Sequence, residues 1–338
     1  MVISKLVSVI IPTYNRAELV VKAIRSVKAQ RYRAIQIIIA DDGSQDNTAE
    51  KVGQFEGIEY YYQEHKGHAA ARNLGLKYSK GEYIASLDSD DTWNENFLET
   101  AVAGLEQHQA DFVFLNWIQI YENQKFPSDW GNHGILKKHL NNSSESWVML
   151  SSRQTRNLFI KICPAPSSSL LIKRSSLNST WNEEMKIADD WCLILEMILT
   201  NSCRAAFNLL PYWTKHIHSG NIYHGREPLE NIKDVGFHDE QLMARDFKEN
   251  LTSTEKRIFK RRLATHYFNY GRLGWRRDGY STKSLQFILS AFKLAPAGSF
   301  FHILQRSFHS LKRRWRIVRS NQKDRTIDDP ASRCLEEP

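Results

Sequence analysis

Three short runs, "LVSVII" (6–11), "IQIIIA" (35–40) and "YIASL" (83–87), are apolar with little polar alternation, and "IEYYY" (58–62) lies between the last two. A strand with one wet face alternates in polarity; an unbroken run is a strand covered on both faces. The segments between them have helical spacing. Over 17–29, Leu19, Ala23, Ile24 and Val27 fall on one face, and 68–79 reads the same way. A helix over about 94–107 and the strand "DFVFLNW" (111–117) continue the alternation. Strand and helix alternating over short connections predict an α/β fold, a doubly wound and mostly parallel sheet. Pro12 is expected to close the first strand, and Ser44 or Asp46 to cap the helix after "DDGSQDNT".

Beyond this the pattern loosens. Residues 118–160 are polar and rich in turn formers, so a long surface excursion is expected. "SSSLLIKR" (167–174) reads as a strand, 189–200 as a helix, and 222 onwards as helical. Residues 262–295 have the aromatic and small-residue rhythm of one tetratricopeptide-like helix pair, which a single copy cannot stack into a solenoid. The division expected is 1–221 for the sheet domain, 222–299 for a helical appendage and 300–338 for a basic tail.

The 338-residue chain has a formal net charge of +8. Residues 306–325 hold eight Lys or Arg and one Asp, so the rest is close to neutral and needs no polyanion to balance it. Leu304, Phe308, Leu311, Trp315 and Val318 form one apolar stripe that starts just before that basic stretch and runs through it. Two placements fit residues 300–325: a helix lying in an anionic membrane surface, or a helix docked on the protein body. No nucleic-acid recognition fold accompanies the charge, so nucleic acid is not expected as a partner. No apolar run is long enough to span a bilayer, and the N-terminus lacks a signal-peptide pattern. Cys163, Cys192, Cys203 and Cys334 show no paired spacing and read as reduced thiols. A cytoplasmic protein is expected, with attachment to the cytoplasmic face of the membrane under the first placement of the tail.

Open α/β sheets bind ligands at the carboxyl ends of their strands. Here those ends carry "PTYN" (12–15), "DDGS" (41–44) and "DSDD" (88–91). Asp88, Asp90 and Asp91 are like charges within four positions, an arrangement that a solvated turn tolerates and a divalent cation relieves. "DDGS" taken singly fits an Asx-type turn. Neither a G-x-G-x-x-G after the first strand nor a Gly-rich loop ending in Lys is present, so dinucleotide and P-loop sites are not indicated. An acidic crevice suits a nucleotide diphosphate that arrives with a metal.

"VSVIIPTYNR", "IIIADDGSQDNT", "GHAAARNLGLKYSKGEYIASLDSDD" and "ADDW" together resemble family 2 glycosyltransferases of the GT-A fold, over roughly residues 5–221. The resemblance implies that Pro12, Thr13 and Tyr14 wall the nucleotide base and ribose and that Asp42 contacts the base. It places Arg72 and Asn73 beside the diphosphate and donor sugar. Asp88 and Asp90 match the D-x-D, with Asp90 the direct ligand of Mg2+ or Mn2+, and Asp91 is expected behind them. In "ADDW", Asp190 matches the general base and Asp189 its partner, where the family usually has Glu; a helix-start acidic pair serving the macrodipole fits the same residues. A His near the metal is implied in "KHIHSGN": the spacing to Asn221 favours His218, with His216 two residues away.

The implied reaction is an inverting transfer of a sugar from a nucleotide-diphosphate donor, a UDP-sugar first, to a hydroxyl of a glycan or lipid-linked acceptor, as in bacterial surface polysaccharide synthesis. The competing readings are a GT-A scaffold without transfer activity and a nucleotidyltransferase. The intact acidic motifs count against the first, and "PTYNR" after the first strand counts against the second.

Overall fold

The computed structural model describes residues 5–128, 136, 146–223, 226–279 and 281–295. The basic stretch 300–325 and its apolar stripe lie outside the described residues. Among the described residues no helix is long and apolar enough to cross a membrane.

Strands β1 (Val7–Thr13), β2 (Ile35–Asp41), β3 (Ile58–Tyr62) and β4 (Tyr83–Ser86) pair in parallel in the order β3-β2-β1-β4. The sheet continues through β9 (Leu170–Lys173), antiparallel to both β4 and β6 (Phe112–Tyr121), then β10 (Ala205–His216), parallel to β6, and the two-residue β5 (Thr92–Trp93). This is the mixed α/β architecture with a mostly parallel centre that the apolar runs predict. Successive residues of β1 explain those runs. Val9 and Ile11 enter one buried cluster with α1 (Ala17–Lys28) and α4 (Phe97–Gln107), while Ile10 enters a second with α5 (Ser152–Phe159) and α6 (Asp189–Thr200). Both faces are covered, so neither could be polar.

The first strand does not stop at Pro12. It pairs with β2 through Thr13, whereas its register with β4 ends at Ile10. Beyond Ile10 the β4 side of β1 is bare, so the missing N–H of Pro12 costs the ladder nothing on that side. The same divergence opens a crevice where the strand order reverses, between β1 and β4.

The segment 118–160 holds more regular structure than its polarity suggests. The strand β6 runs to Tyr121 and returns as β7 (Gln124–Pro127) through Glu122 and Asn123, both with positive φ. After it come β8 (Trp147–Leu150), paired with β10, and α5, opened by a capping box between Ser151 and Gln154. Of the two residues expected to cap α2 (Thr48–Gly53), Asp46 does so: Asn47 holds the N-cap position without a side-chain capping bond, and Asp46 Oδ1 accepts the N–H of Thr48 at 3.1 Å. Asp46 Oδ2 also accepts the N–H of Ala17 at the start of α1, while Ser44 Oγ accepts the N–H of Asn15.

The chain divides into two compact units, Met1–Phe259 and Lys260–Pro338. The first runs past residue 221 because Met243, Phe247, Leu251 and Phe259 are buried in the cluster that holds Phe112, Phe159 and Trp191. The second contains most of α9 (Ser253–Asp278) and α10 (Thr282–Leu294). They approach closely at Gly271, where a Cβ would lie 2.5 Å from the carbonyl of Ser284, and Tyr270 meets Phe287 at 4.6 Å between ring centroids.

Helix α3 (His68–Tyr78) packs on β1 through Gly75, whose missing Cβ would lie 2.3 Å from Cγ2 of the fully buried Ile10. On an open helix Gly→Ala gains roughly 0.5–1 kcal/mol. Here Gly75→Ala should cost about 1–3 kcal/mol by overpacking and lower Tm by several degrees. A thermal melt showing Gly75→Ala unchanged or stabilised would place α3 further from β1 than described.

Candidate active site

The crevice at the ends of β1, β2 and β4 is a cavity of about 790 Å³. Its first wall comes from two stitched loops. Asn15, at φ 50°, donates its N–H to Ser44 Oγ, and its own Oδ1 accepts the N–H of Gln45. Gly43 takes φ 89°, where a Cβ would also lie 2.8 Å from the backbone nitrogen of His65. Asp42, buried, accepts from Gln63 Nε2 (2.7 Å), Lys66 N (2.9 Å) and Gly67 N (2.7 Å), with His65 Nδ1 at 2.8 Å. One carboxylate thus orders the segment leading into α3. Above it the rings of Tyr14 and His65 stack at 4.1 Å, and both remain substantially exposed.

The second wall is acidic. Carboxylate oxygens of Asp88, Asp90 and Asp91 lie within 4.8 Å of one another. Asp88 accepts from Arg72 Nη2 at 2.7 Å. Asp90 Oδ2 accepts from Arg16 Nη1 (2.8 Å) and Asn221 Nδ2 (3.0 Å), and His218 Nε2 lies at 3.3 Å. Asp91 turns inward to Ser168 Oγ (2.6 Å) and the N–H of His216 (3.3 Å). Burial, then the charges of Asp90 and Asp88, push its carboxyl well above the usual range. His216 faces Thr92 Oγ1 at 3.1 Å, and burial lowers its pKa. Of the two histidines, His218 is therefore the one beside Asp90. Clustered hard oxygen donors at the mouth of a cavity fit Mg2+ or Mn2+.

The third wall is the start of α6. Arg72, buried, places Nη1 2.5 Å from Asp189 Oδ2 while Nη2 reaches Asp88. His68, one turn earlier on the same face of α3, lies 3.1 Å from Asp189 Oδ1. Burial pushes Asp189 upward, yet Arg72 and His68 outweigh it and hold the carboxyl at about 2. Its neighbour differs. Asp190 accepts the N–H of Ser167 (3.1 Å) and of Trp191 (2.7 Å); burial and then the charge of Asp189 raise it to about 6. Two adjacent aspartates thus sit on opposite sides of the ordinary range.

The structure brings Pro12, Thr13, Tyr14, Asp42, Arg72, Asp88, Asp90, Asp189 and Asp190 to this one cavity. Asn73 is not among the residues that line it. One step along α3 from Arg72, it turns away and clamps the 181–183 segment, exchanging hydrogen bonds with the backbone of Trp181 and donating to Glu183. Arg16, His65 and His68 were not singled out from the sequence. The i,i+4 spacing of His68 to Arg72 was the available signal.

Comparison with known proteins agrees with this geometry. Residues 8–181 match the family description "Glycosyl transferase family 2", and the chain belongs to that family. Glycosyltransferase GlyG of Streptococcus pneumoniae serotype 4 is 38% identical over 125 residues, covering 36% of this chain and 42% of GlyG. The match to that relative thus spans less than half its length. The UDP-Glc:alpha-D-GlcNAc-diphosphoundecaprenol beta-1,3-glucosyltransferase WfgD of Escherichia coli is 31% identical over 203 residues, covering 59% of this chain and 72% of WfgD. The fold is that of S. aureus TarS 1-349, with TM-score 0.60 and 19% identity over 86% of this chain and 81% of TarS 1-349. A mannosyltransferase from Pyrobaculum calidifontis, solved with GDP-Man and Mn2+, has TM-score 0.55 and 16% identity over 95% of this chain and 85% of its own.

The raised Asp190 has a cost that can be measured. Its folded pKa of about 6 exceeds an unfolded value of about 3.9. The stability it contributes is therefore present below about pH 4 and lost as pH rises through 6. Asp190→Asn removes that loss. It should be more stable than the parent at pH 8 by ~1–2 kcal/mol, allowing for the crevice water that reaches this half-buried group, and the gain should fade towards pH 4. Denaturant titrations at the two pH values check it; equal stabilities at both would contradict the described environment of Asp190.

Proposed function

We propose that the chain transfers a sugar from a nucleotide-diphosphate donor, a UDP-sugar first, to a hydroxyl of a glycan or lipid-linked acceptor, with inversion at the anomeric carbon. The observation that carries this is the placement of two adjacent aspartates beside the Asp88–Asp90 cluster, Asp189 bridged to Asp88 by Arg72 and Asp190 turned to the N–H of Ser167 with no arginine of its own among the described residues. WfgD is named for a UDP-Glc donor and a diphosphoundecaprenol-linked acceptor, and TarS has been solved with UDP-GlcNAc, which favours this donor and acceptor class.

In this reading the Tyr14–His65 stack is the platform for the base, with Pro12, Thr13 and Asp42 shaping the wall around it. Asp90 and Asp88, with His218 adjacent, would hold Mg2+ or Mn2+, which when bound neutralises charge building on the departing diphosphate. Arg72 keeps Asp189 ionised, and Asp189 in turn keeps Asp190 basic enough to accept a proton near neutral pH. Asp190 takes the proton of the acceptor hydroxyl as its oxygen bonds to the anomeric carbon and the sugar–phosphate bond breaks. One displacement needs one base and no protein nucleophile, hence inversion. Attachment of residues 300–325 to an anionic membrane belongs to the same proposal, since it would bring the crevice to a lipid-linked acceptor.

Release of UDP from UDP-glucose or UDP-GlcNAc, with product anomers assigned by NMR, tests the reading. Asp190→Asn should cut transfer by ~10²-fold or more while UDP with Mn2+ still raises Tm. Asp90→Ala should lose that Mn2+-dependent rise. Turnover of the parent should fall as pH drops through about 6, where Asp190 takes up its proton. A near-normal rate in Asp190→Asn, or turnover untouched by EDTA, contradicts the assignment.

A further inference from the structure

Two arginines face the acidic cluster, and they are held differently. Arg72 is buried and pinned between Asp189 and Asp88. Arg16 belongs to the loop between β1 and α1, its side chain 22% exposed. Its Nη1 donates to Asp90 Oδ2 at 2.8 Å, and its Nη2 to the carbonyl of Gly220 at 2.8 Å. Asp90 Oδ2 also takes Asn221 Nδ2 at 3.0 Å, with His218 Nε2 at 3.3 Å. That oxygen is saturated with donors. A dication bonding to it at roughly 2.0–2.2 Å needs a lone pair that the guanidinium now occupies. Like charges at that spacing also repel, so guanidinium and dication compete for that oxygen of Asp90.

We propose that Arg16 is a positioning residue that holds Asp90 as a stand-in cation and yields it to the dication. The inference rests on the metal reading of Asp88 and Asp90 given above. Arg16 is the member of the pair that can move, because it sits partly exposed on a loop and its second partner is a carbonyl, whereas Arg72 is itself buried and held by two carboxylates, one of them the buried Asp189. Once displaced, its planar fork suits the oxygens of a diphosphate bound in the cavity that Arg16 lines. The dication and the diphosphate therefore reinforce one another: each is bound weakly alone, because the dication strands a guanidinium and the diphosphate meets bare carboxylates. This guards the crevice against metal without donor.

The test is Mn2+ binding to the full chain, read from the free-ion EPR signal, with and without UDP. In the parent, UDP should tighten Mn2+ strongly. Arg16→Met should bind Mn2+ alone more tightly than the parent, by about 5- to 150-fold, the ordinary span of coupling between two sites, and should gain correspondingly less from UDP. Arg16→Gln, which retains a donor for Gly220, should shift the same way and guards against a folding defect in the first variant. Mn2+ affinity unchanged or weaker in both variants, or an undiminished UDP effect, overturns the proposal. Failure of the parent to bind Mn2+ even with UDP refutes the metal reading itself, and this inference falls with it.

Discussion

The guanidinium of Arg72 joins two carboxylates from distant parts of the chain, Asp88 at the end of β4 and Asp189 at the start of α6. Burying the charges of Arg72 and Asp189 costs several kcal/mol per ion unless each is met by partners in good geometry, and the half-buried Asp88 supplies Arg72 with a second partner. The fork of Arg72 meets both acids at once, which the single ammonium of a lysine could not do in the same way. Its reach depends on α3 lying close to β1, and that depends on Gly75 against Ile10. The consequence reaches the neighbouring residue. Asp189 has the favourable partners, so Asp190 is left with burial and repulsion, the combination that turns a carboxyl into a base near neutral pH.

A second device ties the acidic groups together. The 3₁₀ turn Ser167–Ser169, just before β9, lies between both clusters. Ser168 Oγ donates to Asp91 and accepts the N–H of Asp88, while the N–H of Ser167 is donated to Asp190. The antiparallel β9 is thus more than a filler between β4 and β6: its register sets where Ser167 and Ser168 meet the acidic groups. The crevice itself follows from β1 outlasting β4.

What could be read from the residues divides along physical lines. The first strands and helices were legible because burial on both faces leaves unbroken apolar runs, and the acidic groups because they end those runs. The strand β10 was obscured by Pro211, which sits at a register shift. The hairpin of β6 and β7 was hidden by its polarity; β7 is exposed along its whole length. Within the site, Asp88, Asp90, Asp189 and Asp190 carried local signatures. Arg16 and His65 did not, since their partners, Asp90 and Asp42, lie far away in sequence and only the folded loops bring them together. Asn73 faces the 181–183 segment and not the crevice, because adjacency in sequence on a helix turns a side chain by about 100°, enough to face another element.

The central claim is that two adjacent aspartates are held in opposite protonation regimes, and side-chain carboxyl NMR of 13C-aspartate-labelled protein measures it directly. The signals are assigned by Asp189→Asn and Asp190→Asn, and titrated from pH 3 upwards. Because the groups interact, the pair should titrate in two well-separated steps. The step that vanishes in Asp190→Asn should have a midpoint near 6, and the signal lost in Asp189→Asn should stay ionised down to the acid limit of the fold. Both residues titrating together near the ordinary carboxylate value of about 3.9 would contradict the account, because neither the Arg72 bridge nor the basic role of Asp190 could then stand.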